Sequence, residues 1–188
     1  MPVVLNKKIN RILAGTVGYH LLSNHSVGPV ILPQLQKMVW PGGIVFEELN
    51  WGPIAIVQYF QSLPEPFDRV IIITAIQRSS RKTGEITIHR WAGGLPSEEQ
   101  IQACIGDAVT GVISVENLLI IGEYFKIWPS DVFVVDVEPG EEKAGEHLSP
   151  EMEATIPAII NTIQHLVTYN EKNLSIENLY GEVLIAQL

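Results

Sequence analysis

The sequence contains one cysteine, Cys104, in 188 residues, so no internal disulfide can form. With no recognisable signal peptide either, this points to a reducing cytoplasm. No base is spaced to activate Cys104, which reads as a small buried apolar side chain. Positive charge is scarce as well. Twelve Lys and Arg stand against 21 Asp and Glu, and the net charge of −9 excludes a general nucleic-acid binder, whose phosphate contacts need a basic face. No run reaches the ~20 apolar residues of a membrane helix, so no membrane insertion is expected. Lys7, Lys8 and Arg11 precede an apolar stretch as in a signal peptide, yet His20, Ser23, Asn24 and His25 interrupt it too early. There is no internal repeat and no low-complexity segment. With 46% apolar and 18% charged residues the chain has ample core material, and its length suits one domain, 1–188, with a core over 11–168 and a C-terminal extension over 169–188.

Continuous apolar runs mark strands buried on both faces. Arg69 to Ile76 is the clearest, Val132 to Val137 reads the same way, and Arg11 to Thr16 is a first strand. Shorter strands are expected at Gly43 to Glu48 and Glu85 to Arg90. In the latter, Ile86 and Ile88 alternate with Thr87 and His89, as in an antiparallel edge. Ser149, Pro150, Glu151 and Glu153 form a helix start: a hydroxyl cap, a first-turn proline, and negative charge at the positive end of the dipole. Met152, Ile156, Ile159, Ile163 and Leu166 then give one apolar face, with a kink expected at Pro157. Thr110 to Lys126 reads as one buried helix, and Val27 to Val39 as a helix kinked or broken at Pro33. Pro53 to Gln61 and Gln100 to Asp107 are shorter helices. The tail from Tyr169, with Leu174, Ile176, Leu179, Val183, Leu184 and Ile185, is expected to pack on the body. Alternating strands and helices specify an α/β fold: a three-layer α/β/α domain around a twisted, mostly parallel sheet of about five strands.

In such sheets ligands bind beyond the carboxyl ends of the strands, which directs attention to the loop after the first strand. Gly15 to Pro29 contains Gly18, Leu21, Leu22, Val27 and Gly28; later come Asp136-Val-Glu138-Pro139-Gly140 and Leu148-Ser149-Pro150-Glu151. Leu49-Asn50-Trp51-Gly52-Pro53 follows the second strand. In this order the motifs resemble those of the hydrogenase maturation endopeptidases, over most of residues 11 to 168. The resemblance implies that family's phosphorylase/hydrolase-like fold and an enzyme that recognises nickel already inserted in a hydrogenase large subunit and removes a C-terminal peptide. In the family an acidic residue of the first loop, an Asp of the second and a His before the buried helix grip the nickel. Those positions fall here on His25, Asn50 and, with a looser correspondence, Gly111. The cleft loop would comprise Gly18, Tyr19, His20, Asn24, Gly28 and Gly52.

The chemistry of those positions argues against a metal grip, because an Asn amide is a poor ligand and Gly has no side chain. His25 is the one plausible ligand; a site built on His20, His25 and His89 matches no established spacing. No resident cofactor and no catalytic residue are assigned, and nickel would arrive with a partner subunit. The favoured reading is a cytoplasmic pseudoenzyme that binds a hydrogenase large subunit or another metalloenzyme subunit during maturation or assembly. An active endopeptidase is the alternative. A second alternative is an anion or small-molecule site at the basic loop Arg78 to Lys82, with Arg90 nearby. Asp136 and Glu138 could pair as acid and base, although carboxylates beside a loop more often accept backbone hydrogen bonds.

Overall fold

A computed structural model describes residues 9–78, 80–112, 114–168 and 174–181. The readings that involve Lys7, Lys8, Ile113, Tyr169, Val183, Leu184 and Ile185 lie outside these residues. In chain order the elements are β1 (Ile12–Thr16), a 3₁₀ turn (Ser23–Ser26), α1 (Val27–Lys37), β2 (Ile44–Glu48), α2 (Pro53–Ser62), β3 (Arg69–Ala75), β4 (Ile86–Trp91), α3 (Glu98–Thr110), α4 (Val115–Tyr124), β5 (Val132–Val137), α5 (Pro150–Val167) and β6 (Ile176–Leu179).

The strands form one mixed sheet in the order β2-β1-β3-β5-β4-β6. β2, β1, β3 and β5 run parallel, β4 is antiparallel to β5, and β6 is parallel to β4. Alternate residues of the central strands feed two cores. Leu13, Val70, Ile72, Val132 and Val134 pack under α2, α3 and α4, and Ile12, Ile71, Ile73, Phe133 and Val135 pack under α1 and α5. Both faces are therefore covered, which is why the central strands read as unbroken apolar runs. At the amino end of β3 the side chain of Arg69 is fully buried, paired with Asp131 and 4.9 Å over the Phe133 ring. An unpaired charge there would be costly.

The helix starts follow their caps. Ser149 accepts from the Met152 amide, and Met152, Ile159, Ile163 and Leu166 are all fully buried. Ser97 and Gln100 form a reciprocal capping box, so α3 begins earlier and runs longer than Gln100 to Asp107.

Three expectations are corrected. The sheet has six strands, and β4, antiparallel as read, is not an edge because β6 pairs beyond it. Within the tail, Ile176–Leu179 thus pack on the body as a strand. Thr110 to Lys126 is not one helix: Gly111 adopts φ 85°, ending α3, and the Ser114 side chain caps a new helix by accepting from the Asn117 amide. Val115 to Gly122 is buried on every side as expected, while Tyr124 and Phe125 are exposed. Finally, α1 runs through Pro33 without a break. Pro33 itself lies on the solvent face.

Candidate functional site

The chain goes from β1 to β2 on one side of it and to β3 on the other, so the winding direction reverses between β1 and β3. Beyond the carboxyl ends of that strand pair a crevice must open. A pocket of about 220 Å³ occupies it, with Val17 and Gly18 from the end of β1, Thr74 to Gln77 from the end of β3, and Ser114 to Glu116 from the start of α4.

The loop between β1 and α1 is held tightly. A side chain at Gly18 would bring its Cβ to 2.9 Å from the His25 carbonyl, so only glycine fits where the loop folds back on itself. Leu21 and Ser23 have positive φ, 63° and 46°, at a cost of about 1–3 kcal/mol each that neighbouring contacts must offset. Those contacts come from the segment after β5. The amides of Ser23 and Gly145 donate to the carbonyls of Gly145 and Leu21, and the Ser23 hydroxyl donates to the His147 carbonyl at 2.9 Å. Asn24 completes the attachment, its Nδ2 donating to the Pro139 carbonyl at 2.9 Å and its Oδ1 accepting from the Ser149 amide at 2.8 Å. Sequence reading placed Asn24 in the cleft loop; its side chain is a strut.

The positions read as metal ligands are engaged in different contacts. His25 lines the pocket, half-buried, and its Nδ1 has no hydrogen-bond partner. Burial lowers its pKa, against the raising effect of Glu142 and Glu138. Asn50 is engaged at both ends of its amide, with Oδ1 accepting from the Gly18 amide at 2.9 Å and Nδ2 donating to Glu48 at 2.7 Å. It ties the first and second loops together. Gly111 is an exposed helix terminus, and Gly52 precedes the Pro53 that opens α2. Gly28 lets α1 approach the sheet, since a Cβ there would sit 3.2 Å from Thr16 and 3.3 Å from the Ile73 carbonyl. Tyr19 lines the pocket mouth, half-exposed. His20 is exposed, 2.8 Å from Glu48, and His89 lines a different cavity. Among the described residues no group of three or more His, Cys, Asp or Glu is placed to hold a metal ion. At the three positions themselves stand an imidazole, an amide engaged at both ends and a glycine, a set that does not fit a resident nickel.

Sequence reasoning missed the acids of this pocket. Glu116, in the first turn of α4, is 5% exposed and lines the same pocket as His25, with Glu142 at its rim. Desolvation pushes the Glu116 carboxyl up, outweighing hydrogen bonds from its own backbone amide and Ser114 and the charge of Arg78. The available signal was an acid set inside the apolar run of α4, on a helix with no solvent face.

A second cavity, about 700 Å³, adjoins the first at Gln77 and is lined by Arg78, Arg81, Thr87, His89 and Glu177. Its charges are largely matched, although Arg81 Nε and His89 Nε2 are buried without a hydrogen-bond partner. Arg81 donates to Asp136 at 2.8 Å, to the Ile76 carbonyl at 2.8 Å and to Thr87 at 3.0 Å, and its Nε lies 3.4 Å from Glu138. Arg78 Nε donates to Asp136 at 3.1 Å. Glu138 accepts from the backbone amides of Arg78 at 2.7 Å and Gly140 at 3.0 Å. Burial would raise the Asp136 carboxyl, but the His89 ring and the Arg81 and Arg78 guanidiniums more than reverse it, and its pKa lies below the usual value. The basic loop of the sequence is thus half of an internal ion-pair network. Asp136 and Glu138 act as acceptors within it, not as a free acid and base. Cys104 is buried, which raises its thiol pKa and leaves it inert.

The sheet order, the five covering helices and the crevice between β1 and β3 define the fold of the hydrogenase maturation endopeptidases. The hydrogenase maturating endopeptidase HybD from E. coli aligns over 87% of this chain and 94% of its own, with a TM-score of 0.59 and 23% identity. An Escherichia coli endopeptidase solved in solution covers 88% and 95%, at a TM-score of 0.63 and 20% identity. The NiFe hydrogenase maturation protease HycI from Thermococcus kodakarensis covers 86% and 95%, at 0.57 and 18%. At such identities the likeness is one of fold. No protein-family model matches the sequence, and no curated protein does. Among the described residues, no single helix is long and apolar enough to cross a membrane.

Proposed function

We propose that this protein is a divergent relative of the hydrogenase maturation endopeptidases. It acts in the cytoplasm, holding a protein partner in the cleft formed by residues 15–29 and 50–53 during maturation or assembly of a metalloenzyme, without cutting it. The partner is a hydrogenase large subunit or a related metalloenzyme subunit. The observation that carries the reading is the Asn24 strut. It joins the Gly18 to Gly28 loop to the Glu138-Pro139-Gly140 and Ser149-Pro150 motifs, so segments read separately as resembling the family meet at one place. The non-cutting form is supported by Asn50 and Gly111, neither of which can offer a ligand to nickel. Nickel then belongs to the partner, as part of what is recognised.

The test mixes the protein with a nickel-loaded large-subunit precursor that keeps its C-terminal extension. The expected result is a complex on size exclusion with the extension still present by intact mass. Loss of the extension would establish the second reading, an active endopeptidase, which the presence of His25 and Glu116 in one pocket favours. Absence of any complex would remove the hydrogenase partner.

A further inference from the structure

We infer that the pocket between His25 and Glu116 is a cation subsite, taking one basic side chain, an ammonium or guanidinium group, from an extended segment of the partner. The inference rests on the partner-binding reading above and adds the chemistry that is recognised.

Charge decides the sign of the guest. Glu116 and Glu142 line the pocket, Glu138 lies close enough to act on His25, and no Lys or Arg is among the described lining residues. Arg78 acts on Glu116 from the neighbouring cavity, but the charged side chains of the lining itself are acidic, which disfavours an anion. A neutral guest would leave Glu116, 5% exposed, with only its own amide, Ser114 and the Arg78 charge, which do not offset its burial, whereas a cation beside it favours the carboxylate. The shape agrees. About 220 Å³ suits a single long side chain, and Val17, Leu22, Ile76 and Val115 offer apolar walls to its methylene stem. His25 Nδ1, buried without a partner, supplies a hydrogen-bonding atom inside. Among the lining residues Tyr19 is 43% exposed, a platform for the chain that carries the side chain.

Entry of a cation favours the ionised form of Glu116, so binding is coupled to proton release. Calorimetry at mildly acid pH, in two buffers of different ionisation heat, tests this with the blocked peptide acetyl-Gly-Arg-Gly-amide and its uncharged citrulline counterpart. The arginine peptide is expected to bind with net proton release and the citrulline peptide to bind about tenfold more weakly, or worse, with none. Glu116→Gln should abolish the release and weaken arginine binding. Equal binding of the two peptides, arginine binding unchanged in Glu116→Gln, or nickel chloride binding where the arginine peptide does not, would overturn the subsite. If Glu116→Gln fails to fold, the two-peptide comparison still decides in the unaltered protein, and Glu142→Gln at the exposed rim must weaken the arginine peptide alone. A precursor complex that forms although neither peptide binds keeps the partner reading and removes the subsite. The converse keeps the subsite and removes that partner.

Discussion

Two cavities open side by side at the carboxyl end of the sheet and share Gln77, yet they treat a buried carboxylate in opposite ways. Asp136 is fully buried and meets two guanidiniums, so its pKa is held down. Glu116 is almost as deeply buried, receives hydrogen bonds from its own amide and Ser114 and the charge of Arg78, and burial still pushes its pKa up. The Asp136 carboxylate is committed to two arginines, although Arg81 Nε and His89 Nε2 of the same network lack a hydrogen-bond partner. A buried acid whose pKa stays raised despite its contacts, beside a histidine with an unpaired nitrogen, has capacity in reserve. The carboxylate of the larger cavity is therefore framework, and that of the smaller one is open to a ligand.

The largest expected effect breaks the arginine-paired side. Asp136→Ala leaves Arg81, whose side chain is 8% exposed, without its closer carboxylate and with only the 3.4 Å contact to Glu138, and should cost about 3 kcal/mol in urea unfolding. A loss below about 1 kcal/mol would mean that the arginines behave as surface residues, and the contrast between the cavities would collapse. A smaller effect is expected in the loop that borders the smaller cavity. Asn24→Ala removes two hydrogen bonds that fasten the pocket loop to Pro139 and Ser149, and should cost about 1–3 kcal/mol. Backbone amides of the loop should then exchange faster, while those of β5 stay protected. Unchanged exchange at Ser23 and Gly145 would show that the backbone contacts suffice without the strut.

These residues also mark where the sequence is legible. Arg69 to Ala75 and Val132 to Val137 declare themselves because a strand covered on both faces must be apolar throughout, and Ser149-Pro150 declares the last helix because capping is local chemistry. The split at Gly111 was written in the sequence as glycine, but the apolar periodicity from Val112 onward masked it. β6 was hidden for another reason. Its four residues are held in place by backbone pairing to β4, and pairing between distant segments leaves little trace in composition. The site divides in the same way. The loop was found from its motif, whereas the role of Asn50 depends on Gly18 and Glu48, and that of Glu116 on a pocket made by three separate elements. Nothing in the residue type reports those neighbours.

The smallest expected effect sharpens the comparison by its sign. Because Glu116 has a folded pKa above its ordinary 4.5, the native state holds a proton that the unfolded chain releases, and stability falls as pH rises from about that value toward the folded pKa. Glu116→Gln removes this penalty. The variant should melt higher than the parent at neutral pH, with the difference shrinking on acidification toward the unfolded pKa. Asp136 behaves oppositely. Its depressed pKa contributes stability that is complete above its unfolded value of 3.8 and is lost as pH falls through the folded one. His25 adds to the acid loss, since its folded pKa lies below 6.5 and protonation on the acid side of that value favours the unfolded chain. Thermal melts of the protein and Glu116→Gln across this range separate the contributions. A variant that melts lower than the parent at neutral pH would mean that the Glu116 carboxylate is already compensated, and both the cation subsite and the contrast with Asp136 would lose their basis.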